Sequence, residues 1–173
     1  MALKAVIIGG GVVGCITAIK LKENGYDVTL VDKSFVGEES SAAGAGIIFP
    51  LMPWNYESRV FDLCLGALSF YKNLSIKLIK AGFEDPEFIE SGMICIDPSD
   101  KKKIVQWGEK NNFTIKEYLF NNRPSYELAK VAQINPTKLM KSLKQYISRL
   151  GIELIENVNM RKIEKKSNYL DGW

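Results

Sequence analysis

Residues 3–14 of the chain read LKAVIIGGGVVG. The mostly apolar run over residues 3–8 is followed by three consecutive glycines at residues 9–11. Such a run predicts a buried strand of a parallel sheet that leads into a tight turn. Apolar residues then recur at helical spacing over residues 12–24, and Gly25 suits the C-terminal end of a helix. Residues 28–31 predict a second strand that ends at Asp32, so the chain opens with a βαβ unit.

The glycines follow the pattern G-x-G-x-x-G, which binds a dinucleotide when it connects a strand to a helix. Gly9 permits the tight turn, Gly11 lets the backbone approach a pyrophosphate, and Gly14 allows the helix to pack closely on the strand. The helix N-terminus offers N–H groups and partial positive charge to phosphates. Asp32 is placed to accept hydrogen bonds from ribose hydroxyls, and its charge argues against NADP. These features alone leave both FAD and NAD open.

The rest of the chain alternates between regular and irregular segments. Residues 40–50 are rich in small side chains and have neither the helical nor the strand period. Asn135 and Pro136 predict a well-capped helix that stops at Gly151. We further predict one long amphipathic helix over residues 56–81, a strand over 92–97, a helix over 98–111, a region without clear pattern over 118–135 and a strand over 152–158.

Composition excludes several classes of function. The chain of 173 residues is 46% hydrophobic and 25% charged, and it carries a net charge of +3 spread along its length, which gives little support for nucleic-acid binding. It has no histidine, so zinc sites that need imidazole and histidine-based triads are excluded within these residues. Cys15, Cys64 and Cys95 lie in apolar stretches and are expected to be small buried side chains in a reducing compartment. We find no stretch long enough to span a bilayer and expect a cytoplasmic protein.

The small-residue segment, SSAAGAGII at residues 40–48, resembles the Ser/Thr-Ser-Ala-Ala-Gly-x-Gly loop of the D-amino acid oxidase superfamily. It is most similar to the glycine oxidase branch of the thiamine-biosynthesis type. Residues 50–54, 91–96 and 135–139 are similar to that branch in order and spacing. In the family, the small-residue loop runs along the diphosphate and ribityl chain and reaches the flavin ring. The resemblance therefore implies FAD rather than NAD as the cofactor.

The resemblance also implies which residues hold the cofactor and what the reaction is. Family members transfer a hydride from the substrate Cα to flavin N5, so no acid or base here is assigned as catalytic, and no residue is assigned to a metal. The expected substrate is a small amine or amino acid. The candidate FAD-binding residues are Gly9, Gly11, Val12, Val13, Gly14, Asp32, Lys33, Ser40, Ser41, Ala45, Gly46, Ile47 and Val158.

The expected fold class is α/β: a Rossmann-like βαβ FAD-binding domain with part of an interleaved α+β substrate domain. Residues 1–50 and 135–173 are assigned to the FAD-binding domain, and residues 51–134 to the substrate domain. Family members are about twice as long, and their substrate-holding arginine and tyrosine follow the point that matches residue 173. We therefore expect an N-terminal portion of an amine oxidase, or one half of a split enzyme whose partner is the other half. A non-catalytic truncated remnant and an NAD-binding dehydrogenase domain are the alternatives.

Overall fold

The computed structural model describes residues 2–50, 52–96, 98–160 and 162. The chain divides into two compact units, Met1–Ala42 with Leu143–Trp173, and Ala43–Ser142. The strands are β1 (Lys4–Ile8), β2 (Asp27–Val31), β3 (Ile47–Ile48), β4 (Met93–Ile96), β5 (Ile115–Phe120), β6 (Arg123–Leu128), β7 (Ala132–Gln133) and β8 (Glu153–Ile155). The helices are α1 (Val12–Glu23), α2 (Ser58–Cys64), α3 (Ala67–Lys80), α4 (Lys101–Lys110) and α5 (Pro136–Arg149), with a short 3₁₀ helix at Pro53–Asn55.

The first unit is built on a three-stranded parallel sheet in the order β1-β2-β8. Helix α1 connects β1 to β2, as the sequence predicts, and the observed bounds differ from the predicted ones by a residue or two. Strand β2 is central and buries Val28 and Leu30 almost completely. Because neighbouring parallel strands end at the same edge of a sheet, the residues after β1 and β2 are brought together there.

Strand β8 is shorter than the predicted strand over residues 152–158. It ends at Ile155 because Asn157 adopts a left-handed backbone conformation with φ of 60°. The N–H of Asn157 then donates to the carbonyl of Ser34, 3.3 Å away, rather than continuing the sheet ladder. The strand itself lies in the same sheet as β1, paired with β2.

The second unit contains an antiparallel sheet in the order β4-β6-β5 and a short antiparallel pair, β3 with β7. Strands β5 and β6 form a hairpin across Asn121 and Asn122, which both have positive φ, 49° and 61°. Two consecutive residues of that kind are typical of the tight turns that match strand twist. This hairpin occupies much of the region over residues 118–135 in which we predict no clear pattern, and the paired asparagines were the available signal.

The predicted long helix over residues 56–81 is wrong in one respect, because it is two helices. Helix α2 ends at Cys64, and α3 begins after Gly66, whose φ of 84° is incompatible with a continuous helix. The helical period of apolar residues continues across this break, so periodicity could not reveal it. In α3 the side chains of Leu74 and Leu78 are buried, as predicted, whereas Val60 of α2 is 42% exposed.

The other predicted elements agree with the structure apart from their ends. Helix α4 starts at Lys101 rather than at residue 98, and β4 ends at Ile96, while Asp97 lies outside the described residues. The side chain of Asn135 caps α5 by accepting a hydrogen bond from the N–H of Lys138 at 3.2 Å. Gly151 follows the helix with φ of 66°.

Burial of the cysteines is less complete than predicted. Cys15 is fully buried, but Cys64 and Cys95 are partly exposed, and all three are free thiols.

Among the described residues, no helix combines the length and the apolar character that crossing a membrane would need. The assignment of residues 1–50 and 135–173 to the cofactor domain and of residues 51–134 to the substrate domain stays a prediction. Along the chain, the boundaries of the two compact units fall between residues 42 and 43 and between residues 142 and 143.

Candidate cofactor site

The turn between β1 and α1 requires glycine at two positions. Gly9 has φ of +105°, a conformation that side chains disfavour, and its N–H donates to the carbonyl of Val31 at 2.8 Å. Gly14 lies in the first turns of α1, and a Cβ there would stand 1.8 Å from the carbonyl oxygen of Gly9. No side chain fits in that space. The structure therefore shows why the helix can start so close to the end of β1.

The side chain of Ser41 lies at the start of α1. Its Oγ accepts a hydrogen bond from the N–H of Val12 at 2.9 Å, and it would lie 2.9 Å from a Cβ on Gly11. The first helical turn contains no acidic residue of its own, and the acid that accepts a hydrogen bond from this region is Asp32, which follows β2. Backbone N–H groups, a serine hydroxyl and a glycine without a side chain are therefore gathered at one point, as binding of a phosphate group requires.

Asp32 follows β2 and ties this turn to the sheet. One carboxylate oxygen accepts a hydrogen bond from the N–H of Gly10, and the other accepts from the N–H and hydroxyl of Ser34, at 2.8 and 3.1 Å. Burial on its own raises the pKa of the Asp32 carboxyl, but the N–H donors of Ser34 and Gly10 outweigh it and hold that pKa below its ordinary value. A carboxylate has about four acceptor positions, so roughly one is left for an outside donor such as a ribose hydroxyl.

The segment after β8 is fixed against the same residue. The N–H of Asp32 donates to the carbonyl of Ile155 at 2.9 Å, and the N–H of Val158 donates to the carbonyl of Asp32 at 3.0 Å. These two bonds continue the contact between β2 and β8 beyond the ends of both strands. Val158, predicted from the sequence, is thereby held beside Asp32.

A cleft of about 290 Å³ lies where these segments meet, entirely within the first unit. Seven of the predicted residues line it: Gly9, Gly11, Asp32, Lys33, Ser40, Ser41 and Val158. The other lining residues were not predicted from the sequence, although each lies within three residues of a predicted position: Ile8, Val31, Phe35, Gly37, Glu39, Asn159 and Met160. Lys33 is paired with Glu39 at 3.0 Å, and both side chains are exposed.

Six predicted residues do not line this cleft. Val12, Val13 and Gly14 belong to α1, where the side chain of Val13 is 75% exposed. Ala45, Gly46 and Ile47 belong to the second unit, where Ile47 pairs with Gln133 and the carbonyl of Gly46 accepts from the N–H of Ile134 at 2.9 Å. Gly46 has φ of +73°, and a Cβ there would lie 2.0 Å from the carbonyl oxygen of Ile134. Contact of these six residues with FAD stays a prediction.

The cleft is small and has a mixed lining. Its volume is near the lower limit of about 300 Å³ for ligand pockets. The lining includes backbone and hydroxyl groups, at Gly9, Gly11 and Ser41, as well as apolar side chains, at Phe35, Val158 and Met160. Within the described part of the chain, no group of three or more cysteine, aspartate or glutamate residues is arranged to hold a metal ion.

Comparison with known proteins agrees with this geometry. Residues 4–172 match the family described as DAO, FAD dependent oxidoreductase. Glycine oxidase of Pseudomonas aeruginosa is 30% identical over 174 residues, which covers 93% of this chain and 48% of that enzyme. Glycine oxidase of Pseudomonas putida is also 30% identical, and the match covers 94% of this chain and 46% of that enzyme.

The fold of glycine oxidase from Bacillus cereus superimposes with a TM-score of 0.81 at 22% identity. This match covers 97% of the present chain and 49% of the other. At that level of identity the superposition shows a shared fold. The chain spans about half the length of the relatives it matches.

Proposed function

The chain belongs to the DAO family of FAD-dependent oxidoreductases, and we propose that the cleft of its first unit binds the adenosine and pyrophosphate portion of FAD. The observation that carries this proposal is the meeting of three features in one cleft. These are the glycine turn at Gly9 and Gly11, the hydroxyl of Ser41 over the start of α1, and the anchored carboxylate of Asp32.

Each group has a separate task in the proposed complex. The start of α1 and the hydroxyls of Ser40 and Ser41 provide donors for the pyrophosphate. Asp32 accepts a hydrogen bond from a ribose hydroxyl through its remaining acceptor position. Val158 and the neighbouring apolar side chains exclude water from the adenine. We further propose Ala45, Gly46 and Ile47 as contacts to the flavin portion, on the resemblance of residues 40–48 to the family loop.

We propose that the enzyme to which this region belongs oxidises the amine of a small amino acid, as glycine oxidases do. FAD, when bound, supplies the two-electron oxidation, and the chain supplies binding and orientation. None of the described acids or bases is assigned a proton transfer. Groups that hold the substrate carboxylate are proposed to lie outside these 173 residues, and the role in thiamine biosynthesis is carried over from the same branch of the family.

Binding measurements test the cofactor. The purified chain is titrated with FAD, NAD⁺ and riboflavin, and binding is followed by calorimetry and by quenching of flavin fluorescence. We expect FAD to bind, and NAD⁺ and riboflavin to bind more weakly, because NAD⁺ lacks the flavin and riboflavin lacks the nucleotide that the cleft takes. Gly11→Val is the matched loss-of-binding variant, because its side chain would extend toward Ser41. Equal affinity for riboflavin and FAD would contradict the proposed adenosine and pyrophosphate site, and equal affinity for NAD⁺ and FAD would contradict the choice of FAD as cofactor.

A chimera tests the substrate class. The present chain replaces the matching first half of the Pseudomonas aeruginosa glycine oxidase, and the purified chimera is assayed with glycine, sarcosine and D-alanine. We expect amine-dependent peroxide release and anaerobic bleaching of the flavin. A folded chimera that retains FAD but is reduced by none of these amines would contradict the proposed substrate class and leave the cofactor assignment standing.

A further inference from the structure

Glu156 connects two segments that the cleft depends on. Its Oε1 accepts a hydrogen bond from the N–H of Val36 at 2.7 Å and from Nζ of Lys144 at 2.6 Å. Burial on its own raises the pKa of the Glu156 carboxyl, but the bonds from Lys144 and Val36 outweigh it and hold that pKa below its ordinary value. The carboxylate is therefore charged at neutral pH and bonded to both partners at once.

Glu156 is close to two of the segments that line the cleft, those containing Phe35 and Val158. Val36 follows Phe35, which lines the cleft, and Nζ of Lys144 lies 5.5 Å from the centre of the Phe35 ring. On the other side, Glu156 stands two residues before Val158, which also lines the cleft. Neither Glu156 nor Lys144 lines the cleft itself. One ion pair is thus connected to two segments that contribute apolar side chains to the lining.

We propose that Glu156 and Lys144 are positioning residues for the FAD site, holding Phe35 and Val158 in the arrangement that receives the adenosine portion. This inference rests on the proposed function. Because neither side chain lines the cleft, the pair is not proposed to contact the cofactor directly. It acts through the backbone of Val36 and through the ring of Phe35.

Folding stability and positioning are separate roles for this ion pair. The side chain of Lys144 is 38% exposed and that of Glu156 is 20% exposed, so screening by solvent reduces but does not remove the contribution of the pair to folding. A comparable pair on the same helix, Lys141 with Glu84 at 2.7 Å, belongs to the second unit, does not line the cleft and provides a matched control. A role in positioning predicts that the two pairs differ in cofactor affinity, whereas a purely structural role predicts that they do not.

The experiment measures affinity for FAD and for ADP by calorimetry on the full chain, alongside the thermal midpoint without ligand. Lys144→Met and Glu156→Ala are each expected to lower the affinity for FAD and for ADP by about tenfold. A change of that size corresponds to the free energy of one charge-assisted hydrogen bond. Lys144→Arg is expected to retain wild-type affinity. Lys141→Met is the control and is expected to leave both affinities unchanged.

Amide hydrogen exchange at Val36 gives a readout that does not need ligand. Exchange there is expected to accelerate in Glu156→Ala and to stay slow in Glu156→Gln, because glutamine retains an acceptor oxygen for that N–H. If Glu156→Ala does not fold, Lys144→Met still decides the affinity comparison.

The outcomes separate this inference from the proposed function. A wild-type chain that binds neither FAD nor ADP would overturn both. A wild-type chain that binds both ligands, with Lys144→Met and Lys141→Met equal to it in affinity, would overturn the positioning role alone. Lower thermal midpoints with unchanged affinities would also overturn it.

Discussion

The carboxylate of Asp32 accepts a hydrogen bond from the backbone N–H of Gly10, which lies 22 residues earlier in the chain. The acid at the end of β2 therefore stabilises the glycine turn as well as facing the cleft. Its two tasks are coupled, because the oxygen that holds the turn belongs to the same group that is proposed to bind ribose. A substitution at Asp32 is consequently expected to change both folding and binding.

Replacing Asp32 with alanine is expected to weaken FAD binding by about 1.5–3 kcal/mol, the range for hydrogen bonds to a charged group. It should also lower the free energy of unfolding, because the N–H groups of Gly10 and Ser34 lose their acceptor. Calorimetry with FAD and urea unfolding without it measure the two effects. Asp27→Ala is the control, because Asp27 is an exposed acid at the start of the strand that Asp32 follows. Unchanged FAD affinity in Asp32→Ala would refute the ribose assignment.

Gly14→Ala should destabilise the chain although alanine favours helix. Helix propensity alone predicts a gain of about 1 kcal/mol, but the added Cβ would lie 1.8 Å from the carbonyl oxygen of Gly9. Relieving such overpacking typically costs about 1–3 kcal/mol, and it opens the turn that forms the cleft. Urea unfolding and FAD titration measure both consequences. Thr17→Ala serves as control, since Thr17 is an exposed residue of the same helix and alanine adds no atom there. A stabilised Gly14→Ala would contradict the packing described here.

Stability should fall in acid through two carboxylates. The pKa values of Asp32 and Glu156 are lowered in the folded state from ordinary values of 3.8 and 4.5. The unfolded chain therefore binds protons first as pH falls, so their contribution is complete above about pH 5 and is lost as pH falls through the folded values. Urea unfolding between pH 7 and 3 measures this, and Glu156→Gln should show a shallower loss. A free energy of unfolding that does not change over this range would contradict the prediction.

Cys15 should be unreactive in the folded chain. Burial, followed by the nearby charge of Asp32, raises the pKa of the Cys15 thiol from 9.0 to about 12. Iodoacetamide at about pH 8, with the modified sites identified by mass spectrometry, should label Cys64 and Cys95 and spare Cys15. All three should react in denaturant. Because this folded pKa is raised, the same group should also reduce stability as pH rises above about 9. Rapid native labelling of Cys15 would show that its burial is not maintained.

The chain of 173 residues, tested alone, should show no appreciable turnover even when loaded with FAD. It spans about half the length of its relatives, and the substrate-holding groups are proposed to lie elsewhere. Poor orientation of a substrate costs orders of magnitude in rate. Peroxide release and anaerobic flavin bleaching with glycine, sarcosine and D-alanine measure this, and the chimera described above is the positive control. Robust turnover by the chain alone would mean that the substrate site is complete within these residues.

The βαβ unit could be predicted from sequence because each of its signals is local. The apolar run before Gly9, the spacing of the glycines and the acid at the end of β2 all act within one supersecondary unit. The capped start of α5 was predictable for the same reason, since Asn135 accepts a hydrogen bond from a residue three positions later. Local rules of this kind do not depend on the rest of the fold.

Sequence alone did not find the break at Gly66 or the hairpin turn at Asn121. A glycine inside an apolar periodic segment is compatible both with a continuous helix and with two helices, and packing chooses between them. The early end of β8 was hidden as well, because it depends on Asn157 leaving the ladder to bond Ser34, a residue distant in sequence.

What the sequence by itself determined is the type of ligand and the family, through the glycine turn, Asp32 and the small-residue loop. Only the tertiary structure decided which of the candidate residues share a cleft. It places Ser41 over the start of α1 and Val158 beside Asp32, and it brings Phe35 and Met160 into the lining. It also pairs Glu156 with Lys144, which lies against the ring of Phe35. Contacts between residues far apart in the chain form only when the parallel sheet aligns its strand ends, and no local pattern records that alignment.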